Sequence, residues 1–532
     1  MAGSAYRIYV LVLLMVIYAF NFLDRQVVTI IAPYLKEDMG VSDAQIGLLF
    51  GTAFALFYAV FGLPLAKLAD GWNRVRTISI GLGFWSAMTA ASGLASNFGQ
   101  LGAARIGVGI GEASASPAAY SLLQDYFPKS MRATVLALYS AGIYLGSGAS
   151  LVFGGVVIEY WATHYTAGNA PFGLTGWQAT YFAFGLPGIL LAFLMWFTVR
   201  EPVRGAIDGI PTPGIARPFH AVMTEFAAML PPWNWRGYAR MTGARQTTIA
   251  NVLLLTAVII GAVAVVLVTD GLLRPEKRAV VGAIGGFNIT TNMVQWGAIG
   301  IGVYCVGSWL QTIRLRDPAC FALVANPGFI ALTVTGGLMS YISYGLSPFI
   351  FLYAKTQFGV GAEAGLTLGA ILAIGGGLGA TFGGILGDWL RQRTPKGRMI
   401  VMLIAAIGSA ITIIASYSVS SLTSFYVLTA ANVFIHIMWL GPCAASIQDL
   451  VLPRMRGTST AAFFLGTTIL GLGLGPYIVG LSSDVSGDLR LALMGSIIVM
   501  PIILGCILLA MRRVPDLERT VLDRARAAGE PI

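Results

Sequence analysis

An all-α membrane protein built from two similar halves is the fold class the sequence predicts, and three observations predict it. Only 11% of the 532 residues are charged against 56% hydrophobic, and the mean hydropathy is +0.77; a soluble domain carries about 25% charged residues. Apolar runs long enough to span a bilayer, about 20 residues each, recur along the whole chain. Stretches of the first half also return 324 positions later.

The runs fall near 8–32, 44–66, 77–96, 100–123, 133–158 and 178–199, then 248–269 and 290–312. The last six lie near 320–354, 364–387, 399–417, 422–445, 457–480 and 490–511. Fourteen transmembrane helices are thus expected: a six-helix bundle (1–200), a cytoplasmic linker with two additional helices (201–318), a second six-helix bundle (319–511) and a tail (512–532). Two extra spans, an even number, let the second bundle enter the membrane in the same direction as the first. The linker holds Pro211, Pro213, Pro231 and Pro232 with Trp233 and Trp235, the composition of an interfacial segment.

The loops orient the chain. With the N-terminus inside, 25 of the 33 Lys and Arg fall in inner segments, 6 in outer ones and 2, Arg25 and Arg105, within the membrane. Such asymmetry places both termini in the cytoplasm, as in a multi-pass protein of the cell (inner) membrane. It also accounts for the net charge of +10 without a nucleic-acid partner. The loop at 270–289, with Arg274, Lys277 and Arg278, is the exception. Met1–Arg7 is followed by a spanning run and no small-residue cleavage site, so no cleaved leader is expected.

The repeat is read from "LQDYFPKSMRATVLA" (123–137) and "IQDLVLPRMRGTSTA" (447–461), in which Gln124/Gln448, Asp125/Asp449, Met131/Met455, Arg132/Arg456 and Thr134/Thr458 correspond. "PLAKLAD", ending at Asp70, matches "GGILGD", ending at Asp388. Two repeats in parallel orientation place a substrate site between them at mid-membrane. Enzyme chemistry finds no support: no GxxxxGK[ST], HExxH or GxSxG is present, and the four cysteines are scattered without a His cluster. No metal or cofactor is expected.

Ionisable groups inside the membrane cost about 2.5–3.5 kcal/mol each on insertion scales, and they persist where they pair and work. Four stand out: Asp24 and Arg25 in "NFLDR", and Arg105 and Glu112 in "RIGVGIGEAS". Seven residues separate Arg105 from Glu112, so they share a helix face at about 10 Å. The first run goes outward and the fourth inward, so Asp24 and Arg25 reach the depth of Arg105. Two acids and two bases can neutralise one another, and protonating Asp24 or Glu112 unbalances the set. A static ion network binding the two helices is the competing reading.

In the second half, His436 stands 324 positions after Glu112 and shares a helix face with Asn432 and Trp439. Its role is either titration or a plain interhelical hydrogen bond. The ninth run, "MSYISYGLSPFIFLY", is uncharged and carries Tyr341, Tyr344, Phe349, Phe351 and Tyr353. The expected cavity is therefore charged on the first half and aromatic on the second.

Asp70 with Arg74 and Arg76, repeated as Asp388 with Arg391 and Arg393, resembles the signature loop of the major facilitator superfamily. "RIGVGIGEAS" is similar to that superfamily's arginine motif on the fourth helix, and "GLGLGP" (471–476) resembles its glycine–proline packing motif. "NFLDR", "SDAQIGLLFGTAF" (42–54), "DGWNRVR" (70–76), "FWS" (84–86) and "GVGIGEAS" (107–114) resemble the Spinster family within it. The chain departs from the superfamily at Ala66 and Gly71, where a glycine and a basic residue are usual, and in its two extra helices.

The resemblance implies a non-enzymatic secondary transporter working by alternating access. The Spinster likeness implies a proton-coupled carrier of a lysolipid or sphingoid-type anion, with Asp24, Arg25, Arg105 and Glu112 as its charged centre. The six loop residues are expected to gate, the aspartates holding neighbouring helix ends through their dipoles. A small organic anion such as a sugar acid or carboxylate is the alternative cargo. A non-transporting sensor or scaffold is the alternative of another class. Expected partners are the substrate, protons and bilayer lipid, for a monomer.

Overall fold

The computed structural model of the protein describes residues 3–128, 131–166, 168–208, 217–239 and 244–530. The first half runs through α1 (Ser4–Met39), α2 (Asp43–Ala69), α3 (Arg74–Ser92), α4 (Phe98–Glu112), α5 (Ala115–Tyr126), α6 (Arg132–His164) and α7 (Gly176–Thr198). Between the halves lie α8 (Pro218–Met229), α9 (Trp233–Tyr238), α10 (Ala244–Leu272), the antiparallel pair β1 (Val280–Ile284) and β2 (Phe287–Thr290), α11 (Thr291–Arg316) and α12 (Pro318–Val324). The second half runs through α13 (Pro327–Phe358), α14 (Ala364–Arg393), α15 (Gly397–Ser418), α16 (Leu422–Asp449), α17 (Arg456–Ser486) and α18 (Leu489–Arg519), closing with α19 (Val521–Ala527).

Among the described residues, twelve helices are long and apolar enough to cross a membrane, against the fourteen expected. The two runs that fall short are α3 and the α4–α5 pair. Both are helical, but the buried face of α3 carries Thr77, Ser79, Ser86, Thr89 and Ser92. The fourth run breaks just after Glu112, where the Ser114 hydroxyl donates to the Gly111 carbonyl at 2.8 Å. Polarity that weakens a span by composition is here polarity turned toward other helices.

Glycine lets α4 approach its neighbours. A Cβ on Gly109 would meet the Phe54 carbonyl oxygen at 2.6 Å, and one on Gly111 would meet the Trp85 Cβ at 2.8 Å. These two positions bring the face bearing Arg105 and Glu112 against α2 and α3.

The chain forms two compact units, Met1–Val41 with Ala53–Phe226 and Pro348–Ala373, and Ser42–Thr52 with Ala227–Ser347 and Ile374–Ile532. In the first, the end of α13 and the start of α14 lie with the first half. Gly148 and Gly369 bring α6 and α14 into backbone contact, and Lys355 pairs with Glu37 at 2.7 Å. In the second, the start of α2 lies on α17: a Cβ on Gly47 would meet the Pro476 carbonyl oxygen at 2.3 Å. The Asp484 carboxylate accepts the Asp43 and Ala44 backbone N–H groups at 3.1 and 2.8 Å, capping α2 from another helix.

The inserted pair joins this second contact. In α17 the backbone is π-helical over Thr468–Gly473, which leaves the Gly473 carbonyl open to outside donors. Thr52 Oγ1 donates to it at 2.6 Å and Gln295 Nε2 at 2.9 Å. The linker is pinned to the same pair by a buried amide: Asn234 Nδ2 donates to Tyr304, Ser308 and Asn251 at 2.8, 2.9 and 3.2 Å.

Candidate functional site

Helices α1 and α4 bring together the four charges that stand inside apolar runs of the sequence. Asp24, Arg105 and Glu112 are 0% exposed and Arg25 is 5% exposed. Arg105 donates to the backbone carbonyls of Asp24 and Arg25 at 2.8 and 3.3 Å. Arg25 Nη2 donates to Glu112 Oε2 at 2.8 Å and to Asn21 Oδ1 at 3.3 Å. Moving along α4 from Arg105 to Glu112 thus retraces α1 backward, so the two helices are antiparallel, as the expected topology requires.

The two acids differ. Glu112 is ion-paired. Neither carboxylate oxygen of Asp24 has a hydrogen-bond partner among the described residues. Asp24 faces the Trp85 indole and Thr89 hydroxyl of α3, whose own donors also lack a partner. Of the two arginines, Arg105 is engaged with main chain, whereas Arg25 faces aromatic rings. Its guanidinium carbon lies 4.5, 4.4 and 5.1 Å from the ring centroids of Phe22, Phe54 and Tyr58. The aromatic surface continues through Tyr18, stacked on Tyr139 at 4.4 Å, to Tyr120 at 5.3 Å from Tyr139. This changes the expected division of labour, since the charged half carries an aromatic run of its own, spread over four helices and invisible as a local motif.

The second-half candidates have structural partners. His436 Nε2 donates to the Met339 carbonyl at 3.1 Å, and Nδ1 meets Ser409 Oγ at 2.8 Å. A neutral ring protonated on Nε2 satisfies both. Asn432 donates to Thr412 Oγ1 at 2.9 Å and to the Ser409 carbonyl at 3.3 Å. His436 and Asn432 therefore stitch α16 to α15 and α13. Trp439 is buried beside Gly336, and its indole N–H has no hydrogen-bond partner among the described residues. Tyr341 is buried on α13 and Tyr344 half-buried, and Phe349, Phe351 and Tyr353 are packed away.

Of the loop residues, Arg74 and Arg391 meet acids outside their own motif, and Asp388 meets an arginine outside it. Arg74 is fully buried and donates to Asp125 on α5, to Glu201 at 2.6 Å and to the Ser121 hydroxyl at 2.9 Å. Arg76 lies over Trp196. The Asp70 side chain lies outside the described part of the structure. In the second half Asp388 pairs with Arg398 at 3.1 Å, and Arg398 also meets Asp449 at 2.5 Å. Arg391 pairs with Glu518, and Arg393 stacks on Trp389 at 3.7 Å. The partner of Asp449 is thus Arg398, 324 positions after Arg74, the partner of Asp125. The repeat offset pointed to Arg398 although the motif did not. Glu201 and Glu518 had no such signal, because they stand beyond the repeated stretch.

A family model described as Major Facilitator Superfamily matches residues 14–476. An MFS-type efflux pump of Mycolicibacterium smegmatis is 25% identical over 87% of this chain and 81% of its own length. The sphingosine-1-phosphate transporter SPNS2 of Mus musculus is 24% identical over 87% of this chain and 67% of its own. Further matches, sugar-acid transporters and spinster proteins among them, cover 29% to 42% of those proteins' length. Among solved structures, a bacterial homologue of the human lysosomal transporter Spinster, inward-facing and unoccupied, superposes with a TM-score of 0.68. It is 24% identical, and the match covers 98% of this chain and 99% of that one.

Proposed function

The chain belongs to the Major Facilitator Superfamily, and on that premise we propose that it is a proton-coupled secondary transporter of an amphipathic, lipid-like anion. It is an integral, multi-pass, Spinster-like transporter. In our reading α3 and α4–α5 span as well, making fourteen crossings, with both termini in the cytoplasm of a cell-membrane protein. The transporter works by alternating access, and the end where α1 finishes and α2 begins faces outward.

The observation that carries the reading is the surroundings of Arg25, an arginine held between one carboxylate and three aromatic rings. With both acids ionised the four charges sum to zero. A proton on Asp24, whose oxygens have no hydrogen-bond partner among the described residues, leaves the cluster with one net positive charge. An anionic head can then displace Glu112 from Arg25 while an apolar body lies along Phe22, Phe54, Tyr58 and Tyr18. Proton and anion favour each other's binding, and linkage requires the preference to be mutual. The name of the sphingosine-phosphate transporter relative agrees with such cargo. The match to sugar-acid transporters favours the small organic anion as the second reading.

Proteoliposomes with an imposed pH gradient test both. Proton-driven flux of a lysophospholipid or sphingoid phosphate, abolished by Asp24→Asn while counterflow exchange persists, is expected. Flux of a sugar acid with none for any lipid anion would replace the first reading by the second.

A further inference from the structure

Asp24 is not the only orphan in its neighbourhood. The Trp85 indole N–H, the Thr89 hydroxyl and the Tyr181 hydroxyl are buried without a hydrogen-bond partner among the described residues, and all three residues are 0% exposed. Trp85 and Thr89 are four residues apart on α3, so they share one face, and both lie close enough to act on the Asp24 carboxyl, although neither donor is placed in full hydrogen-bond geometry. Tyr181 on α7 lies within electrostatic range of both Asp24 and Arg105. Buried polar groups are nearly always paired, so an acceptor and three donors idle in one place need a reason.

The reason lies in what a carboxyl group needs in its two states. Protonated, it is neutral and requires little. Ionised, it accepts at about four lone-pair positions and must have donors when buried. We propose that Trp85 and Thr89, together with Tyr181, are positioning residues of the proton site, a set of donors to which the Asp24 carboxylate turns when it releases its proton. This rests on the reading that Asp24 carries the coupled proton. The charged and polar groups about it come from four helices: Arg25 from α1 itself, Arg105 and Glu112 from α4, Trp85 and Thr89 from α3 and Tyr181 from α7. From α6, Ser150 holds the Leu23 carbonyl at 2.8 Å, fixing the turn before Asp24. The arginines set the charge balance; the idle donors set how readily the proton leaves.

Removing a donor to the ionised form makes the proton harder to lose, so the pH dependence must move upward. For Thr89→Val and for Trp85→Phe, the midpoint of pH-dependent uptake in proteoliposomes is expected to rise by about one unit, a roughly tenfold gain in proton affinity. Thr89→Ser, which keeps the hydroxyl, should leave it in place, and a packing defect alone would lower rate without moving the midpoint. A second readout needs no transport: the carboxyl C=O infrared band that disappears in Asp24→Asn should persist to higher pH in Thr89→Val. An unmoved midpoint and an unmoved band in both donor variants, with the band still lost in Asp24→Asn, would overturn the donor set and leave the proton site standing. A pH response that survives Asp24→Asn would instead remove the proton site, and the proposal with it.

Discussion

Arg74 and Arg398 occupy corresponding places in the two halves, yet their surroundings assign them different weights. Arg74 is fully buried against Asp125 and Glu201, whereas Arg398 meets Asp388 and Asp449, which are 68% and 41% exposed. Removing one partner of a buried pair strands the other, which costs about 3–5 kcal/mol, while exposed pairs contribute about 0–1 kcal/mol. Arg74→Ala is therefore expected to lower the thermal stability of the purified protein far more than Arg398→Ala; equal losses in a thermal melt would refute the asymmetry. The arginine itself was legible from its motif. Its acids were not, because Glu201 follows α7 and meets Arg74 only through helix packing. The same holds for His436: sequence placed it opposite Glu112 in the repeat, and only Ser409 and Met339 show it as an interhelical tie.

Helices meet here through bare backbone, and the consequences fall on single elements. The start of α2 rests on α17 through Gly47, and its first turn is capped by Asp484. Gly47→Leu has no room, and overpacking of this kind costs about 1–3 kcal/mol. It is expected to part these two elements, raising the labelling rate of a cysteine placed at Thr52 in a background without the native cysteines. Unchanged labelling would show that α2 can shift without losing the contact. Asp484→Ala should act in the same direction and more weakly, since a lost N-cap costs about 0.5–2 kcal/mol. Nothing in the glycine count foretold this, because a glycine does not record which helix it meets. The inserted α10–α11 pair was legible as two spans, but its attachment to α17 depends on a π-helical turn that no hydrophobic period records.

For the molecule as a whole, the C-terminal segment is tied back by one charged cluster. Arg454 donates to Asp317 at 2.7 Å, and it also pairs with Glu530. The Arg454 guanidinium holds both carboxyls below their usual range, Asp317 chiefly through its hydrogen bonds. A depressed carboxylate contributes stability that is present above its ordinary value and lost as pH falls through the lowered one. Hydrogen exchange in Val521–Ala527 should stay slow at neutral pH and accelerate only below about pH 4. Acceleration between pH 6 and 7 would mean that another group holds the tail. Arg454→Ala should speed the exchange at every pH above that.

By itself the sequence determined the class of protein, the internal repeat and which four ionisable residues stand inside its apolar runs. Each of these follows from local regularities, a run of about 20 apolar residues or a seven-residue spacing on one helix. Tertiary structure alone decided the pairing: Glu112 to Arg25, Arg105 to the main chain of α1, Asp24 to no hydrogen-bond partner among the described residues, and an aromatic run on the charged half. Pairing depends on how each helix is rotated about its axis and which neighbour it meets. Those are settled by the packing of all the helices together, and no single segment contains them.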